Sequence, residues 1–216
     1  MRSLVLSLAV LLFCQAAVAR EVVHELLNDV SDSLNQRYEL KPDSNPLPPG
    51  RRIDLANLTL SYVFGQWPAG QPVSVFDWAD ETIYVGQDPM VLRDIYTTRF
   101  GSRATEYPTF PSQAVRKVQG CSHVMLLSDG TFTDQEVRAI SLIFSTIVQR
   151  GFVSVFILPS NRQDVRVKNL SFTFRGVDQN RYLVQPLGFD AAQNARLLLA
   201  RVHLVSRLKV SCDNIS

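Results

Sequence analysis

The chain has 216 residues, of which 46% are hydrophobic and 19% are charged, and its formal net charge is +2. This composition is typical of one globular domain and excludes a disordered or fibrous protein. The near-balanced charge also argues against a nucleic-acid-binding coat or a polybasic membrane binder, because neither sign dominates the surface field. We therefore expect no nucleic-acid partner.

Residues 1–19 have the layout of a secretory signal peptide. Arg2 supplies a positive charge, residues 4–14 form an apolar run, and Ala17-Val18-Ala19 is a small-residue cleavage signal before Arg20. The apolar run has about ten residues, whereas a membrane-spanning helix needs about twenty. The sequence thus predicts a cleaved leader, no membrane insertion, and a secreted, extracellular protein.

Cleavage at this point leaves two cysteines, Cys121 and Cys212. An even pair in an oxidising compartment most simply forms one intramolecular disulfide, and the alternatives are free thiols or an intermolecular bridge. Neither cysteine has another Cys or a His at zinc-ligand spacing. The sequons at Asn57 and Asn169 are candidate glycosylation sites, as expected for a secreted glycoprotein.

Residues 20–38 are predicted to form an N-terminal amphipathic helix. Apolar residues recur there at four-residue steps: Val22, Leu26, Val30 and Leu34. The apolar stripe would pack on the main domain or bind a partner. Residues 39–52 are rich in proline, which predicts an extended linker, and residues 53–216 are predicted to form a single α/β domain.

The first part of this domain contains three strand candidates, one helix and a long loop. Alternating apolar and polar side chains predict strands over residues 57–64, 73–78 and 82–85. Asp88 followed by Pro89 is typical of a helix start, so a helix is predicted to about Arg99. Residues 103–119 include two prolines and are predicted to form an irregular loop.

The second part of the domain is more regular. Residues 123–127 and 152–158 are near-continuous apolar runs, typical of parallel strands that are covered on both faces. Between them, Thr133 and Glu136 form a capping box that opens a helix ended by Gly151. This βαβ unit predicts a mostly parallel central sheet flanked by helices, a three-layer, Rossmann-like α/β fold. Short strands over 170–174 and 182–184 are also predicted, as is a last helix over 191–208 that is capped by Asp190.

The loop that follows the first apolar run is the candidate binding site. Ligands of open parallel sheets bind at the carboxyl ends of the strands, and this loop offers oxygens from Asp129, Thr131, Thr133 and Asp134. Such oxygens suit a hard divalent cation such as Mg²⁺ or Ca²⁺, with Asp129, Thr131 and Thr133 as ligands. The alternative is that Asp129 and Thr133 only form the turn and the helix cap. Trp67, in a loop rich in proline and glycine, is predicted to be an exposed ligand contact.

The stretch HVMLLSDGTFTDQEVRAISLIFSTIVQRGFVSVFILPS, within residues 121–160, resembles von Willebrand factor A-type domains. These are α/β modules that often bind ligands through a metal held by an Asp-x-Ser-x-Ser loop. In one register, Asp129, Thr131 and Thr133 take the place of that loop. In the other, Ser128-Asp129-Gly130 corresponds to a later strand ending in Asp-Gly, and the preceding residues supply the earlier strands but are expected to contain no Asp-x-Ser-x-Ser loop.

No motif for nucleophilic, phosphate-cradling or dinucleotide chemistry is present, and His24, His123 and His203 fall on different predicted elements. We therefore expect a secreted, non-catalytic recognition or adhesion domain that binds an extracellular protein or glycan, with either no cofactor or a divalent cation. The alternatives are a small-ligand-binding or receptor extracellular module, and a secreted hydrolase that uses Asp129 or another carboxylate. The oligomeric state is left open.

Overall fold

The computed structural model describes residues 22–37, 50–79, 81–102, 115 and 122–208. These residues form a six-stranded sheet with helices on both faces. In chain order the elements are β1 (Val23–Asp29), a 3-10 turn (Asp32–Asn35), α1 (Arg52–Gly65), β2 (Val73–Trp78), β3 (Thr82–Gly86), α2 (Pro89–Thr98), β4 (Ser122–Ser128), α3 (Asp134–Ile147), β5 (Phe152–Ile157), α4 (Gln163–Leu170), a second 3-10 turn (Gln179–Arg181), β6 (Tyr182–Pro186) and α5 (Ala191–Arg207).

The strand order is β3-β2-β1-β4-β5-β6, so β1 lies in the interior of the sheet. It pairs in parallel with β2 and with β4, and the pairs β4–β5 and β5–β6 are also parallel. The edge strand β3 runs antiparallel to β2. The predicted mostly parallel, three-layer α/β fold is confirmed, and β4, α3 and β5 form its predicted βαβ unit.

Alternate residues of the strands point to opposite faces of the sheet, because side chains alternate along a strand. Leu26 packs in the core beneath α1, α2 and α5, whereas Leu27 packs in the core beneath α3 and α4. The predicted helix caps are present, since Asp88 accepts from the backbone N–H of Met90 and Asp190 from that of Ala192. Both cores therefore depend on helices whose start points the sequence specifies locally.

The helix predicted over residues 20–38 is wrong for residues 23–29, which form β1. All residues from His24 to Asp29 are buried, as expected for a parallel strand covered on both faces. Such a strand has no polar face and therefore shows no period of two. Because β1 is an interior strand of the sheet, the predicted linker at 39–52 does not separate a helix from the domain, and the domain includes the described residues before 53.

The strand predicted over residues 57–64 is also wrong, because this segment lies within α1. The buried residues Ile53, Ala56, Leu60 and Val63 follow the three- and four-residue spacing of a helix face. The helix start is held by Asp54, whose Oδ2 accepts the backbone N–H of Arg51 at 3.0 Å.

The strand predicted over residues 170–174 does not form. Leu170 ends α4, and the following residues are irregular. Phe172 and Phe174 pack around Tyr182, with ring centroids 6.0 Å and 5.2 Å from the tyrosine ring. Burial of these aromatic rings therefore comes from side-chain packing and not from strand pairing.

Candidate functional site

The candidate site lies at the carboxyl ends of β1 and β4. The chain leaves β1 toward β2 on one side of the sheet, and β4 pairs with β1 on the other side. Such a point, where the strand order reverses, leaves a crevice in which α/β sheets bind ligands. Four charged side chains meet here: Asp29, Arg52, Asp129 and Arg166. We call them the carboxyl-edge cluster.

Asp29 ends β1 and opens a polar turn. Its carboxylate accepts the backbone N–H of Ser31 at 2.9 Å and the hydroxyl of Ser128 at 2.6 Å. The hydroxyl oxygens of Ser31 and Ser33 lie 3.1 Å apart. Asp29, Ser31 and Ser33 thus place a carboxylate and two hydroxyls in one loop directly after the strand.

Asp129 follows β4 and is fully buried. Its Oδ1 accepts the backbone N–H of Thr131 at 2.9 Å. Its Oδ2 contacts two guanidiniums, with Nη1 of Arg52 at 2.7 Å and Nη1 of Arg166 at 3.3 Å. Nη1 of Arg166 also donates to the backbone carbonyl of Asp129 at 2.7 Å, so this arginine holds both the side chain and the backbone of the loop.

Gly130 allows this close approach. Its φ of +72° lies in the left-handed region, and a Cβ built there would lie 3.2 Å from Cβ of Arg166 and 3.3 Å from Cδ1 of Ile157. A larger residue would push Arg166 away from Asp129. The Asp-Gly pair therefore sets the position of the second guanidinium.

Burial, and then the neighbouring charge of Asp129, raise the pKa of the Asp29 carboxyl from 3.8 to about 7. The hydrogen bonds from Ser128 and Ser31 oppose this rise. Burial lowers the pKa of Arg166, an effect that the carboxylate of Asp129 opposes. Asp129 thus faces two cations, whereas Asp29 relies on hydrogen bonds from uncharged groups.

The chain was compared with known proteins at three levels. No protein-family model matches the sequence, and no curated protein sequence matches it significantly. Among solved structures, BatB from Bacteroides thetaiotaomicron matches with a TM-score of 0.60 and 9% identity, over 87% of this chain and 100% of that one. A von Willebrand factor type A protein from Catenulispora acidiphila matches with a TM-score of 0.56 and 12% identity, over 83% of this chain and 42% of that one.

The PilB minor pilin from Streptococcus sanguinis matches with a TM-score of 0.59 and 7% identity, over 86% of this chain and 62% of that one. The chain has a von Willebrand factor A-type fold. The resemblance predicted from residues 121–160 is therefore confirmed, and it extends over most of the chain. Domains with this fold often act in adhesion and binding and often contain a metal-ion site.

The von Willebrand factor A-type fold selects the second of the two registers. Asp129 lies after the later strand β4, and the Asp-x-Ser-x-Ser loop is Asp29-Val30-Ser31-Asp32-Ser33 after β1. The expectation that the first hundred residues contain no such loop is wrong, and it followed from the interpretation of this segment as a helix. The spacing of Asp29, Ser31 and Ser33 was a signal that could have identified the loop.

The other predicted ligand residues lie on the exposed side of the loop. Thr131 and Asp134 are exposed, and the hydroxyl of Thr133 accepts the backbone N–H of Glu136 as the cap of α3. The metal set Asp129, Thr131 and Thr133 is therefore a turn and a cap in this structure. Asp129 is the residue that belongs to the buried cluster, and the three others form its exposed rim.

Trp67 lies at the amino ends of the parallel strands, opposite the carboxyl-edge cluster, in the loop between α1 and β2. It is half-buried, its indole N–H donates to the carbonyl of Gln71 at 2.9 Å, and its ring packs edge-on against His24. The structure does not bring it together with Asp129. A ligand that contacts both residues would have to extend from one edge of the sheet to the other.

A second buried polar cluster occurs at this amino edge, where His24 and His123 face each other. Their Nδ1 atoms are 2.9 Å apart. Nε2 of His24 lies 3.1 Å from the hydroxyl of Ser206, and Nε2 of His123 lies 2.9 Å from that of Ser154. Nε of Arg201 donates to Ser154 at 2.9 Å. We call these five residues the histidine cluster.

The hydrogen-bond directions in the histidine cluster follow from its two ends. The Ser154 hydroxyl accepts from Nε of Arg201, which can only donate, and still has its own hydrogen to donate. At the other end, Ser206 donates to the carbonyl of Val202, so it must accept from Nε2 of His24. With both rings neutral, Nδ1–H of His123 must then donate to Nδ1 of His24, and the Ser154 hydroxyl donates to Nε2 of His123. Two neutral rings thus satisfy every donor in the chain.

The remaining predicted sites are one disulfide and two glycosylation sites. Cys121 and Cys212 lie outside the described residues, so their disulfide stays a prediction. Asn169 is exposed near the end of α4 and is accessible to a glycan. Asn57 is 2% exposed, and its Nδ2 donates to the carbonyl of Arg99 at 3.2 Å. The folded domain therefore disfavours glycosylation at Asn57.

The carboxyl-edge cluster, together with Ser31 and Ser33, is the set of side chains that could hold a divalent cation. Two carboxylates and two serine hydroxyls supply only oxygen, which suits Mg²⁺ or Ca²⁺. However, Oδ2 of Asp129 already contacts two guanidiniums, and the two arginines cancel the formal charge of the two aspartates. Among the described residues, no group of three or more His, Cys, Asp or Glu side chains could hold a metal. The residues present therefore do not fit an additional divalent cation.

None of the helices in the described ranges is both long and apolar enough to span a membrane.

Proposed function

We propose that this chain is a secreted, non-catalytic recognition domain that binds a protein ligand at the carboxyl edge of its sheet. The observation that supports this most strongly is the arrangement of two exposed polar loops around the buried carboxyl-edge cluster. Asp32 belongs to one loop, and Thr131, Thr133 and Asp134 belong to the other, and all four are exposed. They lie at the crevice where folds of this type bind ligands.

The burial of the two carboxylates supports binding over hydrolysis. Asp29 is 1% exposed and Asp129 is 0% exposed. A general acid or base must come within hydrogen-bond distance of the substrate, directly or through one water. Both carboxylates are instead occupied by contacts within the protein, so they shape the edge and do not reach out from it.

Secretion is proposed from the leader at residues 1–19. Cleavage before Arg20 would leave β1, which begins at Val23, intact. The interior strand of the sheet therefore does not depend on the leader. An extracellular location also accounts for the predicted Cys121–Cys212 disulfide and for a glycan on the exposed Asn169.

A matched pair of substitutions tests the proposed contact edge. The mature wild-type chain is first screened against arrays of extracellular proteins and of glycans, and the strongest binder is taken forward. Thr131→Arg places a bulky cation on the contact loop, so we expect it to weaken the Kd at least about tenfold, as for loss of an interface hot spot. Thr146→Arg adds the same charge at an exposed site near the other end of α3.

The binding constants are measured by surface plasmon resonance, and circular dichroism checks that both variants are folded. Retained affinity in Thr146→Arg with lost affinity in Thr131→Arg supports the proposed edge. Equal loss or equal retention in the two variants would contradict it. Binding to glycans alone would contradict the protein ligand but not the location of the site.

A further inference from the structure

Arg52 is placed between the two loops of the carboxyl-edge cluster. It is the first residue of α1, and its backbone N–H donates to the carbonyl of Gln36 at 3.2 Å. Its Nη1 lies 2.7 Å from Oδ2 of Asp129 and 3.3 Å from the carbonyl oxygen of Ser33. One guanidinium therefore links the Asp-x-Ser-x-Ser loop after β1 to the Asp-Gly loop after β4.

We infer that Arg52 supplies the positive charge that a divalent cation would otherwise supply between these loops, so that the site is metal-independent. Arginine suits a buried ion pair, because its guanidinium is planar and presents several donors in a fixed geometry. It is also attached to the fold covalently. The contact edge would then be assembled as soon as the chain folds, without capture of an ion.

The charges of the cluster support this inference. Asp29 and Asp129 contribute at most two negative charges, and Arg52 and Arg166 contribute two positive ones. Arg52 is 5% exposed, so its charge is poorly screened by solvent. A divalent ion added beside it would leave two uncompensated positive charges in a buried volume, which proteins avoid.

The neighbouring residues hold Arg52 in place. The side chain of Arg51 pairs with Asp54 at 3.0 Å, and Oδ2 of Asp54 accepts the backbone N–H of Arg51, so the start of α1 is fixed. Nε of Arg52 is buried without a hydrogen-bond partner among the described residues. This unpaired donor shows that the side chain is positioned by Asp129 and Ser33 at a cost to its own hydrogen bonding.

This inference rests on the proposed function for its ligand but not for its test. The mature wild-type chain is melted in EDTA and in millimolar Mg²⁺ or Ca²⁺. We expect the Tm to change by less than about 1 °C, whereas a cation at about a hundred times its Kd would raise the Tm by about 5 °C or more. Electron paramagnetic resonance of Mn²⁺ should show the same free-ion signal with and without the protein.

Arg52→Met removes the charge and leaves Asp129 with Arg166 alone. We expect this variant to melt lower in EDTA and to regain about 5 °C or more in Mg²⁺ or Ca²⁺, because a cation can then replace the lost charge. Arg93→Met, which removes a partly exposed arginine of α2 outside the cluster, should gain no cation response.

A cation-dependent rise in Tm or a bound Mn²⁺ signal for the wild-type chain would overturn the inference. So would an Arg52→Met variant that folds but stays insensitive to cations. If Arg52→Met does not fold under any of these conditions, the Mn²⁺ titration of the wild type decides: an unchanged free-ion signal supports the inference, and a bound signal overturns it. Failure of the proposed function is a separate result, because it appears in partner binding and not in these melts.

Discussion

The sheet contains a buried polar cluster at each end of its parallel strands. The two clusters compensate the cost of burying polar groups in different ways. In the histidine cluster, two neutral imidazoles lie in a chain of hydrogen bonds that leaves no donor unused. In the carboxyl-edge cluster, four charged groups meet, the pKa of Asp29 is raised to about 7, and Nε of Arg52 has no partner among the described residues. A network in which every donor is hydrogen-bonded is typical of a structural role. Unpaired donors and raised carboxyl pKa values are energetically costly, and such costs are typical of functional sites.

The largest expected effect comes from removing the centre of the carboxyl-edge cluster. Asp129→Ala leaves Arg52 and Arg166 without their buried counterion, so we expect the free energy of unfolding to fall by about 3–5 kcal/mol. Urea denaturation followed by circular dichroism measures this change. Asp134→Ala, on the exposed rim of the same loop, should alter stability by no more than about 0.5 kcal/mol. Similar effects of the two substitutions would show that the cluster does not stabilise the fold.

The histidine cluster is expected to respond to acid. Burial lowers the pKa of His24 from 6.5 to about 4, so the unfolded chain binds a proton there over a range in which the folded chain does not. The stability from neutral His24 is fully present above pH 6.5 and is lost as the pH falls toward 4. The shift corresponds to about 3 kcal/mol at this one group.

Urea denaturation between pH 7 and pH 4 tests this expectation. His24→Gln should remove most of the pH dependence that is due to His24, while His203→Gln, at an exposed position of α5, should keep the wild-type profile. Parallel pH profiles for wild type and His24→Gln would mean that His24 does not titrate as its burial requires.

A smaller effect of opposite sign is expected at Asp29. Its folded-state pKa of about 7 exceeds the ordinary 3.8, so its contribution to stability is present below pH 3.8 and is lost as the pH rises through 7. Asp29→Asn should therefore stabilise the fold at pH 8, by about 1 kcal/mol, and give no gain at pH 4. Thermal melts at the two pH values measure this difference. Asp32→Asn, exposed in the same loop, should be neutral at both, and a destabilised Asp29→Asn at pH 8 would refute the argument.

Local sequence signals were sufficient for the βαβ unit and for three helix starts, although the strand predicted over residues 170–174 does not form. The apolar runs of β4 and β5 and the caps Asp88, Thr133 and Asp190 were predicted at the positions where the structure has them. Each of these signals depends on residues that are close in the chain. A cap, for example, is a hydrogen bond across two or three residues, so its sequence and its structure are nearly the same information.

The first half was predicted less well because its local patterns are ambiguous. The apolar residues of β1 have helical spacing, and those of α1 alternate as in a strand. Burial on both faces removes the period that would distinguish a strand from a helix. The Asp-x-Ser-x-Ser loop was missed for the same reason. The motif indicates a ligand loop only where it directly follows a strand, and the strand before it was interpreted as a helix.

Composition, the βαβ unit and the presence of Asp129 in a polar loop can all be obtained from the sequence, because each is a local property of the chain. The partners of Asp129 cannot. Arg52 is 77 residues away from it, and Ser128 is 99 residues away from Asp29. These groups meet because the sheet places β1 beside β4 and α1 above their carboxyl ends, and that order results from the burial of two cores, which no local pattern specifies.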